Sequence, residues 1–156
     1  MGKTIRIGII GSGGIAGEHA KYYKQIEDVQ IVAVADILPG RADQFIERWG
    51  LQGAIGFDDH RRLLDLELDG VSICTPNVAH YRTTIDALTA GKHVMLEKPM
   101  SVTLDEAIEM VQTSKRTGNM LNVGFQPRYD PNMGIIRDLI QNGELGKVYY
   151  VETGGG

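Results

Sequence analysis

The chain has 156 residues, 42% of them hydrophobic and 23% charged, with a formal net charge of -4. That balance is ordinary for a globular domain with a full core and does not invite nucleic acid or an anionic membrane surface. A single cysteine, Cys74, excludes an internal disulfide framework, no apolar run reaches the roughly eighteen residues of a membrane span, and no signal-peptide pattern opens the chain, so a cytoplasmic protein without a metal site is expected.

The apolar run from Ile5 to Ile10 reads as a buried strand, rich in β-branched residues. It stops at Gly11, and an amphipathic run with Ile15, Ala16, Ala20 and Tyr23 on one face starts at once. Strand, glycine turn and helix put Gly11, Ser12, Gly13, Gly14, Ile15 and Ala16 into the G-x-G-x-x-A form of the dinucleotide-binding fingerprint. Gly11 permits the tight turn, Gly13 lets the backbone approach a pyrophosphate, and Ala16 lets the helix pack closely on the strand. The helix N-terminus offers N–H groups and a partial positive charge to the phosphates. A second strand, Ile31 to Ala35, ends at Asp36, where a carboxylate takes the hydroxyls of the adenosine ribose. The plainer role for Asp36 is to cap the next turn.

After the turn Leu38-Pro39-Gly40, a helix with Ala42, Phe45, Ile46 and Trp49 on one face ends at Gly50. Trp49 is expected in the core and Arg41 on the solvated surface, although some chains of this kind meet a 2′-phosphate there. A short third strand covers Ala54 to Phe57, and Asp58 is expected to cap a short helix with Leu63 and Leu64. The fourth strand, Gly70 to Cys74, leads into Thr75-Pro76-Asn77-Val-Ala-His80. Ligands of open α/β sheets sit outside the carboxyl ends of the strands, so this loop belongs to the site face. Asn77 suits a helix N-cap, and His80 is either structural or part of the rim.

The helix from Val78 to Thr89 stops before Gly91, and His93 to Leu96 forms a fifth strand ending in Glu97-Lys98-Pro99. Pro99 stops the ladder and holds Lys98 extended at the carboxyl end of the sheet, beside a carboxylate. Thr103 and Glu106 form a capping box for a long helix with Ala107, Ile108 and Val111 inward. Met120 to Phe125 is the sixth strand, a helix follows near Pro131 to Gln141, and Lys147 to Glu152 reads as a new strand before Gly154-Gly155-Gly156. Six strand–helix alternations predict a doubly wound, mostly parallel Rossmann sheet ordered 3-2-1-4-5-6, with helices on both faces. The expected organisation is a dinucleotide-binding domain over 1–126, then a linking helix and the first strand of a second domain over 127–156 that is only begun.

The fingerprint, Asp36, Thr75-Pro76-Asn77-Val-Ala-His80, Glu97-Lys98-Pro99 and Gly124-Phe-Gln126-Pro-Arg128-Tyr129 occur in register, and the set resembles the N-terminal half of the Gfo/Idh/MocA oxidoreductases. The resemblance implies an NAD- or NADP-binding domain followed by an antiparallel sheet domain that carries substrate and subunit contacts. It implies hydride transfer at a carbinol carbon of a sugar, sugar derivative or cyclitol, and a homo-oligomer, dimer or tetramer, built through the second sheet. It assigns Lys98 to substrate positioning and proton relay, with a Lys98–Pro99 bond that is often cis in relatives. It also places Thr75, Pro76, Asn77 and His80 near the cofactor, and Glu97 and Gln126 on the nicotinamide side. The aspartate and histidine that relatives bring from the second domain have no counterpart in these residues, so the chain by itself is expected to catalyse little.

Asp36 argues for NAD, because a carboxylate repels a 2′-phosphate. Two other readings stand beside the dehydrogenase: an NAD(H)-binding sensor or scaffold without chemistry, and a lyase or epimerase that uses NAD transiently.

Overall fold

A computed structural model describes residues 3–152 and 154. The chain divides into two compact units, Met1–Gly124 and Phe125–Gly156.

The first unit is built on a parallel sheet of β1 (Ile5–Ile10), β2 (Val29–Ala35), β3 (Ile55–Phe57), β4 (Gly70–Ile73), β5 (His93–Leu96) and β6 (Leu121–Val123). Their order is β3-β2-β1-β4-β5-β6, as the alternation of elements predicts. Helices α1 (Gly14–Tyr23), α2 (Arg41–Trp49), α3 (His60–Leu64), α4 (Asn77–Thr89) and α5 (Leu104–Thr117) connect the strands. Neighbouring residues along a strand point to opposite faces, and the core divides accordingly, except where a register shift between β1 and β2 leaves Val32 and Ala33 in one cluster. Ile9, Ile31 and Val34 pack with Ala16 and Ala20 of α1 and Phe45 of α2. Ile10, Val32 and Ala33 pack with Leu63 of α3, Leu88 of α4 and Met110 of α5. Helices therefore cover both faces, and strands buried on two sides need the apolar runs this chain supplies.

Two close approaches explain glycines near the site. A Cβ on Gly11, whose φ is 91°, would lie 2.6 Å from the Cys74 carbonyl oxygen. A Cβ on Gly17 would collide with the indole of Trp49, so this glycine lets α1 and α2 press together.

Several local expectations need correction. Asp59, not Asp58, caps α3, its Oδ1 accepting the Arg61 N–H at 2.9 Å. Pro76 occupies the N-cap position of α4, and Asn77 is its first helical residue with no capping bond from its side chain. Pro76 keeps the extended backbone of an N-cap residue, with φ −59° and ψ 148°, and the helix begins one residue later. Ile15 is 40% exposed, because the buried stripe of α1 runs through Ala16, Gly17 and Ala20. In α5 the buried residues are Met110 and Thr113, while Ile108 and Val111 face out. That polar face tolerates burial because the Thr113 Oγ1 accepts from Arg116, the Thr117 hydroxyl donates to the Thr113 carbonyl and the Ser114 hydroxyl to that of Asn119. The Thr103–Glu106 capping box forms as expected.

The second unit holds a 3-10 turn, Gln126–Tyr129, and α6 (Pro131–Gln141), capped by Asp130. Residues 147–152 do not form the expected strand. A strand needs a ladder partner, and no described segment pairs with them. Gly155 and Gly156 of the terminal glycine run lie outside the described residues.

Candidate functional site

The parallel ladders run one residue past the strands and bring the motif residues to one edge. The Gly11 N–H donates to the Ala35 carbonyl, Asp36 N–H to Phe57, Cys74 N–H to Ile10 and Glu97 N–H to Ile73. Gly11, Asp36, Cys74 and Glu97 thus stand at the carboxyl ends of β1, β2, β4 and β5. Because β1 has β2 on one side and β4 on the other, the strand order reverses here and leaves a crevice.

Gly13 and Gly14 open onto that crevice. A Cβ on either would meet no protein atom within 4 Å. Gly13 has φ −76°, which any residue adopts, so neither backbone nor packing requires glycine at this position. The α1 N-terminus has no side-chain cap and no acidic residue in its first turn, leaving its N–H groups for an outside acceptor.

Asp36 is half-buried and well supplied with donors. Its Oδ2 accepts the Ser12 N–H at 3.0 Å and the Ser12 hydroxyl at 2.5 Å, and its Oδ1 accepts the Leu38 N–H at 3.0 Å. Burial alone pushes its carboxyl up, but the Ser12 hydroxyl, the two N–H groups and the charge of Arg41 together hold it below the usual value. It thus also plays the plainer role, receiving the Leu38 N–H in the turn. Beside it, a cavity of about 240 Å³ is lined by Ile10, Asp36, Ile37, Thr75 and Pro76 among others, and is mostly apolar. Thr75 Oγ1 is buried without a hydrogen-bond partner. On the other side of the loop, Ser12, Arg41, Gln44 and Arg48 surround a polar groove.

His80 does not reach the crevice. It is fully buried, with Nδ1 2.7 Å from the Pro99 carbonyl oxygen and Nε2 2.9 Å from that of Thr75. Each ring nitrogen faces a carbonyl oxygen, to one of which a single N–H donates, so the histidine expected near a cofactor is enclosed between the loop after β4 and the loop after β5. Asn77 and Lys98 are exposed, and the Lys98–Pro99 bond is cis. Glu97 is buried, accepting from His19 at 2.9 Å and, more weakly, from the Lys98 N–H at 3.3 Å. Cys74 is buried too, and burial followed by the charge of Glu97 pushes its thiol up to about 12. Gln126 opens the 3-10 turn of the second unit.

Sequence reasoning missed His19, Ser72 and Tyr23. The signals were present: Ser72 is a polar residue inside a wholly buried strand, and His19 lies one turn past Ala16 on the helix face toward the sheet. Among the described residues, no group of three His, Cys, Asp or Glu is arranged to hold a metal, and no helix is long and apolar enough to cross a membrane.

These residues fit a dinucleotide. The cradle over Gly13 and Gly14, the uncapped helix N-terminus and the orphaned Thr75 hydroxyl all call for a polar ligand that the protein does not itself provide. Comparison with known proteins decides the family, since residues 5–125 match the oxidoreductase family with an NAD-binding Rossmann fold, Gfo/Idh/MocA. The chain belongs to this family. It is 38% identical over 146 residues to the D-glucoside 3-dehydrogenase of Escherichia coli K12, covering 93% of this chain and 41% of that protein. Among solved structures, the WlbA dehydrogenase of Chromobacterium violaceum, in complex with NADH and UDP-GlcNAcA, superposes with a TM-score of 0.87 at 28% identity, covering 96% of this chain and 43% of that one. The scyllo-inositol dehydrogenase of Lactobacillus casei, with NAD(H) and scyllo-inositol, gives 0.83 at 28% identity, over 92% and 43%. The chain spans about two fifths of the length of the curated relatives it matches.

Proposed function

We propose that this chain is the cofactor-binding part of a nicotinamide-dependent dehydrogenase acting on a carbinol or carbonyl carbon of a sugar, sugar derivative or cyclitol. The observation that carries the proposal is the uncapped N-terminus of α1, entered through Gly13 and Gly14 with open space over both and preceded by Ser12, which Asp36 holds. When bound, the nicotinamide accepts or supplies the hydride.

The chain's own residues hold and orient. The N–H groups from Gly13 onward at the α1 N-terminus receive the pyrophosphate, and Asp36 receives the ribose hydroxyls. Ile37, Thr75 and Pro76 enclose the adenosine end, while Ile15, Asn77 and Glu97 are assigned to the remainder of the cofactor. Lys98 is assigned to the substrate oxygen. Removing a hydride from a carbinol carbon requires the hydroxyl proton to leave as well, and an ammonium beside that oxygen steadies the developing negative charge.

NAD is the proposed cofactor. The groove between Arg41 and Arg48 is the one observation that favours a 2′-phosphate, and it must compete with the carboxylate of Asp36 beside it. Residues 127–156 are proposed as the linking helix and opening of the family's second domain. The acid/base partner, most substrate contacts and assembly as a dimer or tetramer are assigned to that domain, so the isolated 156 residues are expected to be catalytically inert. A cytoplasmic location belongs to the same proposal.

The test is a spectrophotometric assay of the full-length gene product across a panel of sugars and cyclitols with NAD and NADP. Turnover abolished by Lys98→Ala supports the reading. Binding of NADH without turnover on any substrate favours a sensor, and tightly held cofactor with no net reduction favours transient redox in a lyase or epimerase.

A further inference from the structure

Beneath the carboxyl ends of β4 and β5 lies a polar cluster that neither the glycine fingerprint nor the hydride chemistry accounts for. Glu97 is 5% exposed and Ser72 fully buried, and the side chain of His19 is 12% exposed. A buried carboxylate is tolerated only where donors meet it. His19 Nε2 lies 2.9 Å from Glu97 Oε1, and its Nδ1 lies 3.0 Å from Ser72 Oγ. Tyr23 Oη is 2.7 Å from the same Ser72 oxygen. Burial holds Tyr23 in its hydroxyl form, against the opposing pull of the Ser72 bond.

One arrangement of protons uses each of these groups. With Glu97 as the acceptor, His19 Nε2 carries the hydrogen. In that tautomer Nδ1 accepts from the Ser72 hydroxyl, and Ser72 accepts from Tyr23. The other Glu97 oxygen faces the Lys98 N–H at 3.3 Å. The chain of contacts runs from α1, whose N-terminus is the proposed phosphate site, through Glu97 to the main chain of Lys98.

We propose that His19 is a positioning residue that fixes Glu97 and through it Lys98, so that the phosphate-binding helix and the catalytic lysine are set by one hydrogen-bonded unit. The proposal rests on the functional reading above for the role of Lys98. Two substitutions separate positioning from simple packing. His19→Gln keeps an N–H donor near the place of Nε2, whereas His19→Asn keeps one near Nδ1, toward Ser72, and takes the imidazole donor from Glu97.

The experiment is amide hydrogen exchange by NMR on the chain, with and without NADH, with long-range proton–nitrogen spectra to read the His19 tautomer. In the wild type, His19 is expected to carry its proton on Nε2. The Lys98 amide should exchange about tenfold faster in His19→Asn than in the wild type, with His19→Gln within about threefold. In the full-length enzyme, His19→Asn should lower kcat about a hundredfold with little change in KM for NAD, and His19→Gln should restore most of it. Equal Lys98 exchange in all three proteins, or an Nδ1–H tautomer for His19, overturns the proposal. The expected exchange pattern without any NADH binding overturns the nucleotide reading and leaves the role of His19 in place.

Discussion

Asp36 and Ser12 form a closed contact between the end of β2 and the loop after β1: one carboxylate oxygen accepts both the N–H and the hydroxyl of Ser12. The carboxylate assigned to the ribose therefore already holds the glycine loop in shape. Asp36→Ala removes the acceptor for three donors at once. It should destabilise the chain by about 1–3 kcal/mol and lower NAD affinity by more than tenfold. Ser12→Ala keeps the ribose contact and should weaken NAD binding only a few-fold. Thermal denaturation together with nucleotide titration reads both effects, and equal affinity losses for the two variants would remove the ribose role from Asp36.

The same carboxyl gives the chain an acid-side pH dependence. Its folded value is depressed, by the Ser12 hydroxyl, the N–H groups and Arg41 acting against burial. Its contribution is therefore present above the ordinary carboxylate value of about 3.9 and is lost as pH falls through the lower folded value. Denaturation midpoints between pH 7 and pH 3 should show a smaller acid-side decline in Asp36→Asn than in the wild type.

Cys74 predicts the opposite limb. Its thiol is pushed up to about 12 by burial and then by the charge of Glu97, above the ordinary value of about 8.5. The contribution is complete below the unfolded value and declines as pH rises from there toward the folded one. Cys74→Ala should flatten the stability curve above pH 9. A disulfide reagent at pH 8 should label the thiol only on unfolding, because the thiolate is the reactive form. Rapid labelling of the native chain would contradict this placement.

His80 bridges the Thr75 and Pro99 carbonyl oxygens from a fully buried position. His80→Ala leaves both without the imidazole and opens a cavity, so a loss of about 2–4 kcal/mol is expected. In the full-length protein the proposed turnover should also fall, since both flanking loops are released. A stability loss with unchanged kcat would confine His80 to the core.

Much of this fold is legible in the residues. The β1 and α6 bounds, the strand order, the Thr103–Glu106 box and the glycine end of α2 follow from local patterns of period, cap and turn. What escaped depends on tertiary partners. The buried face of α5 was misread because Thr113 and Ser114 can be enclosed once their oxygens are bonded, which apolar periodicity does not register. His80 stayed open between a structural and a rim role because sequence gives its turn of the helix but not the two carbonyl groups that close over it. His19 went unseen because its partners are 53 and 78 residues away. The expected strand at 147–152 failed because a ladder needs a neighbour that these residues do not find.

Gly13 separates folding from dinucleotide binding by the loop from Gly11 to Ala16. A Cβ there meets no protein atom and its φ suits any residue, so Gly13→Ala should leave the melting temperature unchanged. Gly11→Ala should cost about 1–3 kcal/mol, from its φ of 91° and the Cys74 carbonyl. The decisive measurement is calorimetric titration of wild type and Gly13→Ala with NAD and with NADP. The expected result is NAD binding by the wild type, preferred over NADP, and its loss in a Gly13→Ala chain that is fully folded. A folded wild type that binds neither nucleotide, or a Gly13→Ala chain that binds NAD as well as the wild type, would contradict the account.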